Sequence, residues 1–266
     1  MTLLETKERF GYQWTRFPYS TPEFEPHFRR LIAPLTPQDF TGRTVLDAGC
    51  GYGRYALCAA RYGAQVVGMD FSKAICAAKS FTHGTAIDLV CGDILNPPFR
   101  GTFDLVMSIG VLHHLPDPLQ GFKRLARCVT PGGKIIVWVY SAKRKTSNAL
   151  VERLRRAARP LSHKALHRLT FLLAIFDFIL SRSCLAVRPL LGDRTWQRLV
   201  PSHFRLYCRF PFRVSWADWF DRLGAPTRHY FGKAELENWL GHVGAVTGTV
   251  VPTEDFGWTL VARLPG

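Results

Sequence analysis

The sequence has few acidic residues for its size: 20 of its 266 residues are Asp or Glu, against 35 Lys or Arg, and the formal net charge is +15. Its seven cysteines are odd in number and form no CxxC pair, which excludes a disulfide framework or a zinc site as the organising element. We therefore predict no metal site. The most apolar run, Leu169–Leu180, is shorter than a bilayer requires and contains Asp177.

The first residues contain no apolar stretch of the kind found in signal peptides, so the expected location is cytoplasmic. Hydrophobic residues make up 47% and charged residues 21% of the chain, which is a globular composition. The length suits one large α/β domain with an insertion.

The positive charge is concentrated in one segment. Residues 143–213 carry 16 basic and 3 acidic residues, a net of +13, whereas residues 1–142 carry +4 and residues 214–266 carry −2. Nucleic acid, an anionic membrane surface or an acidic substrate are the partners that such a segment favours. The rest of the chain is close to neutral, so the charge does not bear on its chemistry.

Short apolar runs alternate with stretches of helical spacing, a pattern that predicts a parallel sheet with helical crossovers. The predicted strands are 44–48, 66–70, 86–90, 103–109, 134–140, 245–251 and 257–263. The predicted helices between them are 54–63, 72–82 and 118–129, with a last helix from Lys233. We expect Pro131–Gly133 to form a turn before the fifth strand. After Tyr140 the alternation stops and returns only near Gly232.

Three alternating glycines follow the first predicted strand, in the order Asp47-Ala48-Gly49-Cys50-Gly51-Tyr52-Gly53. Glycines at the carboxyl end of a parallel strand let a ligand approach the backbone. By itself the loop leaves a dinucleotide site open, because Gly51–Ala56 also fits a loose GxGxxA pattern. Asp70 and Asp93 end or follow the next two strands, and His113 and His114 follow the fourth.

This ordered set resembles the class I S-adenosylmethionine-dependent methyltransferases, especially the UbiE-like or type 11 group, over about residues 40–140 and 232–264. The resemblance implies a Rossmann-like, doubly wound, mostly parallel seven-stranded sheet and S-adenosylmethionine as cofactor. It implies that the cofactor is bound by Asp47, Gly49, Gly51, Gly53, Asp70, Phe71, Asp93, Ile94 and Ser108.

The loop after the fourth strand borders both cofactor and acceptor in this family. His113 and His114 are therefore candidate general bases, because imidazole titrates near neutrality. His114 is the better candidate, since the family commonly has His there, whereas His113 replaces a frequent Glu. The alternative is that one of the two only orients the loop through a backbone bond.

Two further stretches supply candidate acceptor-binding residues. The aromatic N-terminal stretch offers Tyr12, Trp14 and Arg16, which would close over the cofactor or stack on the acceptor, or else only pack on the sheet edge. The stretch before the last helix, which resembles pocket-side segments of type 11 enzymes, offers Arg222, His229 and Tyr230. The alternative is that Arg222, His229 and Tyr230 are surface loop residues that do not line the pocket.

The basic segment is predicted to hold helices over 150–159 and 161–180. Its basic, Phe- and Leu-rich composition is typical of a helix that lies on anionic lipid, which would suit a lipophilic acceptor. Packing on the domain, a dimer interface or RNA phosphates are the alternatives. The RNA interpretation is the weakest, because there is no recognisable RNA-binding module. Asn96–Phe99 is similar to the motif of amine-methylating enzymes, but it follows the third predicted strand, whereas that motif follows the fourth.

The predicted organisation is a cap (1–40), a cofactor-binding core (41–142), a basic helical insertion (143–231) and a closing helix with two strands (232–266). The predicted function is methyl transfer to a small, lipophilic or aromatic biosynthetic intermediate, in the cytoplasm or at the inner face of a membrane. Three alternatives remain: other S-adenosylmethionine chemistry on a membrane-associated, quinone-like substrate, an RNA methyltransferase, or a non-enzymatic cofactor-binding or membrane-docking protein. The sequence makes no prediction of oligomeric state.

Overall fold

The computed structural model describes residues 3–253 and 256–266. Their strands form one seven-stranded sheet in the order β3-β2-β1-β4-β5-β7-β6. The strands are β1 (Thr44–Ala48), β2 (Gln65–Asp70), β3 (Ile87–Cys91), β4 (Phe103–Ile109), β5 (Val129–Tyr140), β6 (Thr247–Thr253) and β7 (Gly257–Arg263). β1 to β5 pair in parallel, and β7 is antiparallel to β5 and β6. The predicted seven-stranded, mostly parallel α/β fold is confirmed.

Helices cover both faces of this sheet. They are α1 (Leu3–Arg16), α2 (Phe24–Ile32), α3 (Arg54–Arg61), α4 (Ala74–Phe81), α5 (Pro118–Ala126) and α12 (Lys233–His242). Adjacent residues of β1 enter different cores, because side chains alternate across a strand: Val45 packs with Phe28 and Tyr55, and Leu46 packs with Phe122 and Trp239. This explains why the inner strands have continuous apolar runs.

The prediction of a turn at Pro131–Gly133 is wrong. These residues lie inside β5, where the pairing with β4 shifts between Phe103 and Leu105. Gly132 has φ +73°, and its N–H donates to the Pro265 carbonyl at 2.7 Å. The Pro-Gly-Gly sequence therefore makes an irregular, bulged section of a strand, because hydrogen bonds to the chain end hold it in the sheet.

The chain divides into two compact units, one made of Met1–Lys145 and Pro226–Gly266, and the other of Thr146–Ala225. We call the second the helical unit. Its helices, with α6 beginning one residue before it, are α6 (Lys145–Ala158), α7 (His163–Ala186), α8 (Arg188–Leu191), α9 (Asp193–Leu199), α10 (Ser202–Tyr207) and α11 (Phe212–Gly224). α7 packs mainly against α11 and α10.

The apolar run Leu169–Leu180 is part of a longer element. In the described residues, the helix His163–Leu191 is long and apolar enough to cross a membrane by length and composition alone. The sequence expectation that the run is too short to span underestimated the helix, because the polar residues on either side of it continue the same helical backbone.

Candidate functional site

The glycine loop connects β1 to α3 and comes close to two side chains. Gly49 has φ +84°, and a Cβ there would lie 2.6 Å from Val111. Gly51 has φ +57°, and its Cβ would lie 3.4 Å from the ring of Trp14. Side chains larger than hydrogen would be strained at both positions. The loop therefore places backbone without side chains at the carboxyl ends of β1 and β2, where open α/β sheets bind ligands, and Trp14 covers it there.

Asp47 lies in β1 just before this loop and is 2% exposed. One of its carboxylate oxygens, Oδ2, is buried without a hydrogen-bond partner in the described residues. Burial, and secondly the negative charge of Asp70, raise its pKa from 3.8 to about 7. A cationic ligand group would relieve both penalties, since it would pair with the buried carboxylate.

Asp70 ends β2 and ties that strand to the glycine loop. Its Oδ2 accepts from the Gly51 N–H at 3.0 Å. Its Oδ1 accepts from the Ser72 N–H at 2.8 Å and from the Ser72 hydroxyl at 2.7 Å. Burial raises the pKa of Asp70, and these hydrogen bonds oppose that effect. Because a carboxylate has about four acceptor positions, one remains for a ligand hydroxyl.

The remaining predicted cofactor residues divide into two kinds. Asp93 follows β3 with its Oδ1 accepting from the Leu95 N–H at 2.9 Å, Ile94 is buried, and Phe71 is half-buried. Ser108, by contrast, is fully buried and its hydroxyl donates to the Ala48 carbonyl at 2.9 Å. The Ser108 hydroxyl therefore joins β4 to the end of β1, and we now interpret it as a positioning group for the glycine loop.

His113 and His114 lie on a short 3-10 helix, Leu112–His114, after β4, and both are buried. The His114 Nδ1 is 2.8 Å from the Thr227 carbonyl, so this nitrogen donates to the carbonyl, and in the neutral ring the lone pair is on Nε2. Neither ring nitrogen of His113 has a hydrogen-bond partner in the described residues. Burial, followed by the charges of His114, Arg228 and His229, lowers the pKa of His113 well below its usual value. His113 is thus neutral, and His114 has the geometry of an oriented base.

Two residues that the sequence analysis missed surround this pair. Tyr140, the last residue of β5, has its ring centroid 4.1 Å from that of His113. The Arg228 guanidinium lies 3.9 Å from the centroid of the Tyr140 ring. The position of Tyr140 at the carboxyl end of a predicted strand, level with the loop, was the available clue. The partner Arg228 is 88 positions further along, which no local pattern connects to it.

The predicted residues before α12 also come to this loop. The His229 N–H donates to the His113 carbonyl at 2.8 Å, and its ring Nε2 is 3.1 Å from the Leu115 carbonyl. The Tyr230 ring is 6.1 Å from that of Tyr140. His229 therefore secures the backbone of the histidine loop, whereas Tyr230 extends its aromatic wall.

The N-terminal helix α1 lies over the glycine loop. The Trp14 ring is 5.5 Å from that of Tyr52, and the Phe10 ring is 4.8 Å from that of His114. Phe10 is a contact that we did not single out from the sequence. Tyr12 and Arg16 lie on another side of the helix, with the exposed Arg16 guanidinium 5.5 Å from the Tyr12 ring centroid. Of the three predicted residues on α1, only Trp14 is placed at the loop.

Arg222 belongs to the helical unit and is engaged there. Its guanidinium pairs with Asp218 and lies over the rings of Tyr207 and Trp219, at 5.7 and 5.6 Å from their centroids. The charge of Arg222 is therefore stabilised by side chains of α10 and α11.

A concave surface at the opposite, amino edge of the strands does not compete with this site. Its carboxylates already have partners: Asp39 pairs with Lys134 at 2.7 Å, and Asp104 accepts from the Thr44 N–H at 2.9 Å and is stabilised by the charge of Arg43. The glycine loop is the better candidate because the Asp47 beside it has a buried oxygen without a partner and a raised pKa.

Residues 46–137 match the protein-family model described as a methyltransferase domain. This match, with the seven-stranded sheet and the glycine loop, identifies the core of the chain as a class I methyltransferase domain of the kind that uses S-adenosylmethionine.

Comparison with individual proteins agrees with this class. A ubiquinone biosynthesis O-methyltransferase of Thiobacillus denitrificans is 37% identical over 123 residues, which cover 44% of this chain and 50% of that protein. A chloroplastic tocopherol O-methyltransferase of Arabidopsis thaliana is 36% identical over 106 residues, covering 36% and 29%. The chain thus spans half or less of the length of these curated relatives.

One structural likeness extends over nearly the whole chain. A putative methyltransferase of Haloferax volcanii, solved in complex with the Trm112 methyltransferase activator, has a TM-score of 0.55 and 16% identity and covers 98% of both chains. At that identity the likeness establishes the fold alone.

Proposed function

We propose that the protein transfers a methyl group from S-adenosylmethionine to a small, lipophilic or aromatic biosynthetic intermediate. The observation that carries the proposal is the unpartnered, buried carboxylate oxygen of Asp47 beside the glycine loop. S-Adenosylmethionine carries an ammonium and a sulfonium cation, and a cation is the group that this carboxylate lacks.

We assign the predicted residues to the cofactor from one end to the other. Asp47 and the glycine loop would hold the methionine portion, Asp70 would accept a bond from the ribose, and Asp93 with Ile94 would border the adenine. The bound cofactor supplies a methyl group that its sulfonium already activates. The task of the chain is therefore to align the acceptor and exclude water.

His114 is the residue that we assign to the acceptor's proton. The Thr227 carbonyl accepts from its Nδ1–H, and in the neutral ring Nε2 would accept a proton from an acceptor hydroxyl. His113 is too poor a base for this role because burial lowers its pKa, and we assign it to shaping the pocket together with Tyr140. Trp14 and Phe10 on α1 would shield the reacting groups from solvent.

The acceptor class follows from the site lining and the relatives. Aromatic rings surround the histidine loop, and such walls favour a flat ring. Ubiquinone and tocopherol, which appear in the names of the two curated relatives, are ring compounds with lipid tails. We accordingly propose a ring hydroxyl as the methylated group. The net charge of +13 on residues 143–213 supports a further element of the proposal, a cytoplasmic enzyme that works at an anionic inner membrane surface.

Calorimetry tests the cofactor assignment. We expect S-adenosylmethionine and S-adenosylhomocysteine to bind, and Asp70→Ala to weaken both, with exposed Asp88→Asn as the control variant. Absence of binding by either compound would overturn the proposal. Activity is then measured with methyl-labelled S-adenosylmethionine and a series of short-tailed hydroxyquinols. Formation of S-adenosylhomocysteine without a labelled acceptor would point to different chemistry on the same cofactor.

A further inference from the structure

The helix α7 buries its small and polar side chains and exposes its large apolar ones, which is the opposite of an ordinary surface helix. Its buried positions recur every three or four residues and are mostly small or polar: Leu166, Thr170, Ala174, Asp177 and Ser181. Its exposed positions are large and apolar, with Leu172 64% exposed, Phe176 66% and Ile179 58%. A helix in water normally turns its apolar face to the core. The reversed arrangement leaves apolar surface that needs a partner.

The polar inner face is firmly held inside the helical unit. Asp177 Oδ1 lies 2.6 Å from His203 Nε2 on α10, and both side chains are largely buried. A Cβ on Gly224 of α11 would lie 3.2 Å from Leu166, so the two helices are close there. The helix therefore cannot rotate to bury its apolar side without breaking this hydrogen bond and exposing α11.

Exposed apolar residues also follow α7, and the unit that holds them is positively charged. We define the outer face as Leu172, Phe176, Ile179, Leu190 and Leu199; the last two are 86% and 63% exposed. The helical unit contains fourteen Lys or Arg and five Asp or Glu, a net charge of +9. Basic side chains exposed on α7, at helical spacing from these residues, are Lys164, Arg168 and Arg182, and those exposed on α9 are Arg194 and Arg198.

We propose that the outer face docks on an anionic lipid bilayer, with α7 lying in the plane of the interface. Apolar side chains would enter the acyl boundary, and the flanking Arg and Lys would contact lipid phosphates. The proposal deepens the function proposed above, because it states where a lipid-tailed acceptor would reach the enzyme. It does not depend on methyl transfer for its test.

The polar inner face of α7 also favours a helix that lies in the membrane interface over one that spans the bilayer. A helix that crosses a bilayer must keep its polar groups paired within the membrane. Asp177 pairs with His203, which belongs to the six-residue α10 and could not follow it across the hydrocarbon. The polar face would therefore be left without partners in a spanning arrangement, whereas at the interface it stays against α10 and α11.

Flotation with full-length protein tests the docking. We expect binding to vesicles containing phosphatidylglycerol and at least tenfold weaker binding to pure phosphatidylcholine. Replacing two outer-face residues, Leu172→Ser with Phe176→Ser, should reduce binding to the anionic vesicles about tenfold or more. The matched control is Val246→Ser, which changes a residue of the other unit that is 66% exposed. Arg194→Glu with Arg198→Glu should weaken binding in a salt-dependent way.

Further measurements distinguish a helix in the plane of the interface from a spanning helix, and lipid from a second copy of the chain as the partner of the outer face. Phe176→Trp fluorescence should be quenched by brominated lipid, and alkaline carbonate should release the protein; retention after carbonate would indicate spanning and overturn the in-plane arrangement. If both double variants bind vesicles like the native chain, the docking proposal is wrong. If Leu172→Ser with Phe176→Ser instead changes the oligomeric state, the outer face is an interface between copies. Binding of S-adenosylmethionine by every variant keeps this result independent of the proposed function.

Discussion

The two units of the chain differ in which side chains they bury. In the unit made of Met1–Lys145 and Pro226–Gly266, which we call the sheet unit, apolar side chains fill both faces of the sheet. Its buried carboxyl groups, Asp47 and Asp70, lie at one edge of the strands. In the helical unit, a buried charge, Asp177, lies in the middle of the longest helix while Phe176 beside it is exposed. Each departure from ordinary burial indicates an unmet partner: a small cationic ligand for the sheet unit and an extended apolar, anionic surface for the helical unit.

The largest effect expected in the sheet unit comes from His114→Gln, which keeps a hydrogen-bond donor toward Thr227 but removes the imidazole base. We expect turnover of a ring-hydroxyl acceptor to fall about 100-fold or more, with cofactor affinity unchanged. His83→Gln, at an exposed position, is the control. Unchanged turnover in steady-state assays would assign His114 to loop orientation instead.

The corresponding change in the helical unit is Asp177→Ala, which removes the acceptor at His203 Nε2 and leaves only the Arg222 contact at Nδ1. Leaving a buried donor without its acceptor costs about 1–3 kcal/mol. Hydrogen exchange should show the loss of protection in α7, α10 and α11, while calorimetry with S-adenosylmethionine stays as in the native protein. Equal loss of protection in β1 and β4 would contradict the division into two units.

For the cofactor itself, Asp47→Asn should weaken S-adenosylmethionine about 10- to 100-fold, because a charge-assisted contact to the ammonium is lost. The same variant should unfold at a higher temperature than the native apo protein above pH 7, since it no longer buries an unpaired charge. Asp88→Asn should change neither value. A variant that loses binding and stability together would identify Asp47 as a structural residue.

The smallest expected effect is a pH dependence of a few-fold. The folded apo protein holds a proton on Asp47 up to about pH 7, whereas the unfolded chain releases it near pH 3.8. Apo stability should therefore fall as pH rises through that window. A bound cation lowers the Asp47 pKa, so cofactor affinity should rise as pH increases toward and past 7. Titration calorimetry at several pH values measures this, and Asp47→Asn should abolish the slope.

Much of the fold could be predicted because its determinants are local. β1 and β4 lie within the predicted limits, since continuous apolar runs such as Val45–Ala48 specify buried parallel strands. Asp47, Asp70 and Asp93 could be placed together because the carboxyl ends of parallel strands share an edge. Pro131–Gly133 misled the prediction, because a turn sequence becomes a strand when the far end of the chain, Pro265, supplies its hydrogen bond.

The sequence by itself determined the class of the core, the glycine loop and the basic charge of the segment after β5. Only the tertiary structure decided that Tyr140 and Arg228 surround His113, that the Asp47 carboxylate is left with an unpaired oxygen, and that α7 turns its apolar side outward. The physical reason is that spacing along the chain reports which residues share a face of a helix or strand. Which face is buried, and which polar atom stays unpaired, depends on contacts between residues that are distant in sequence.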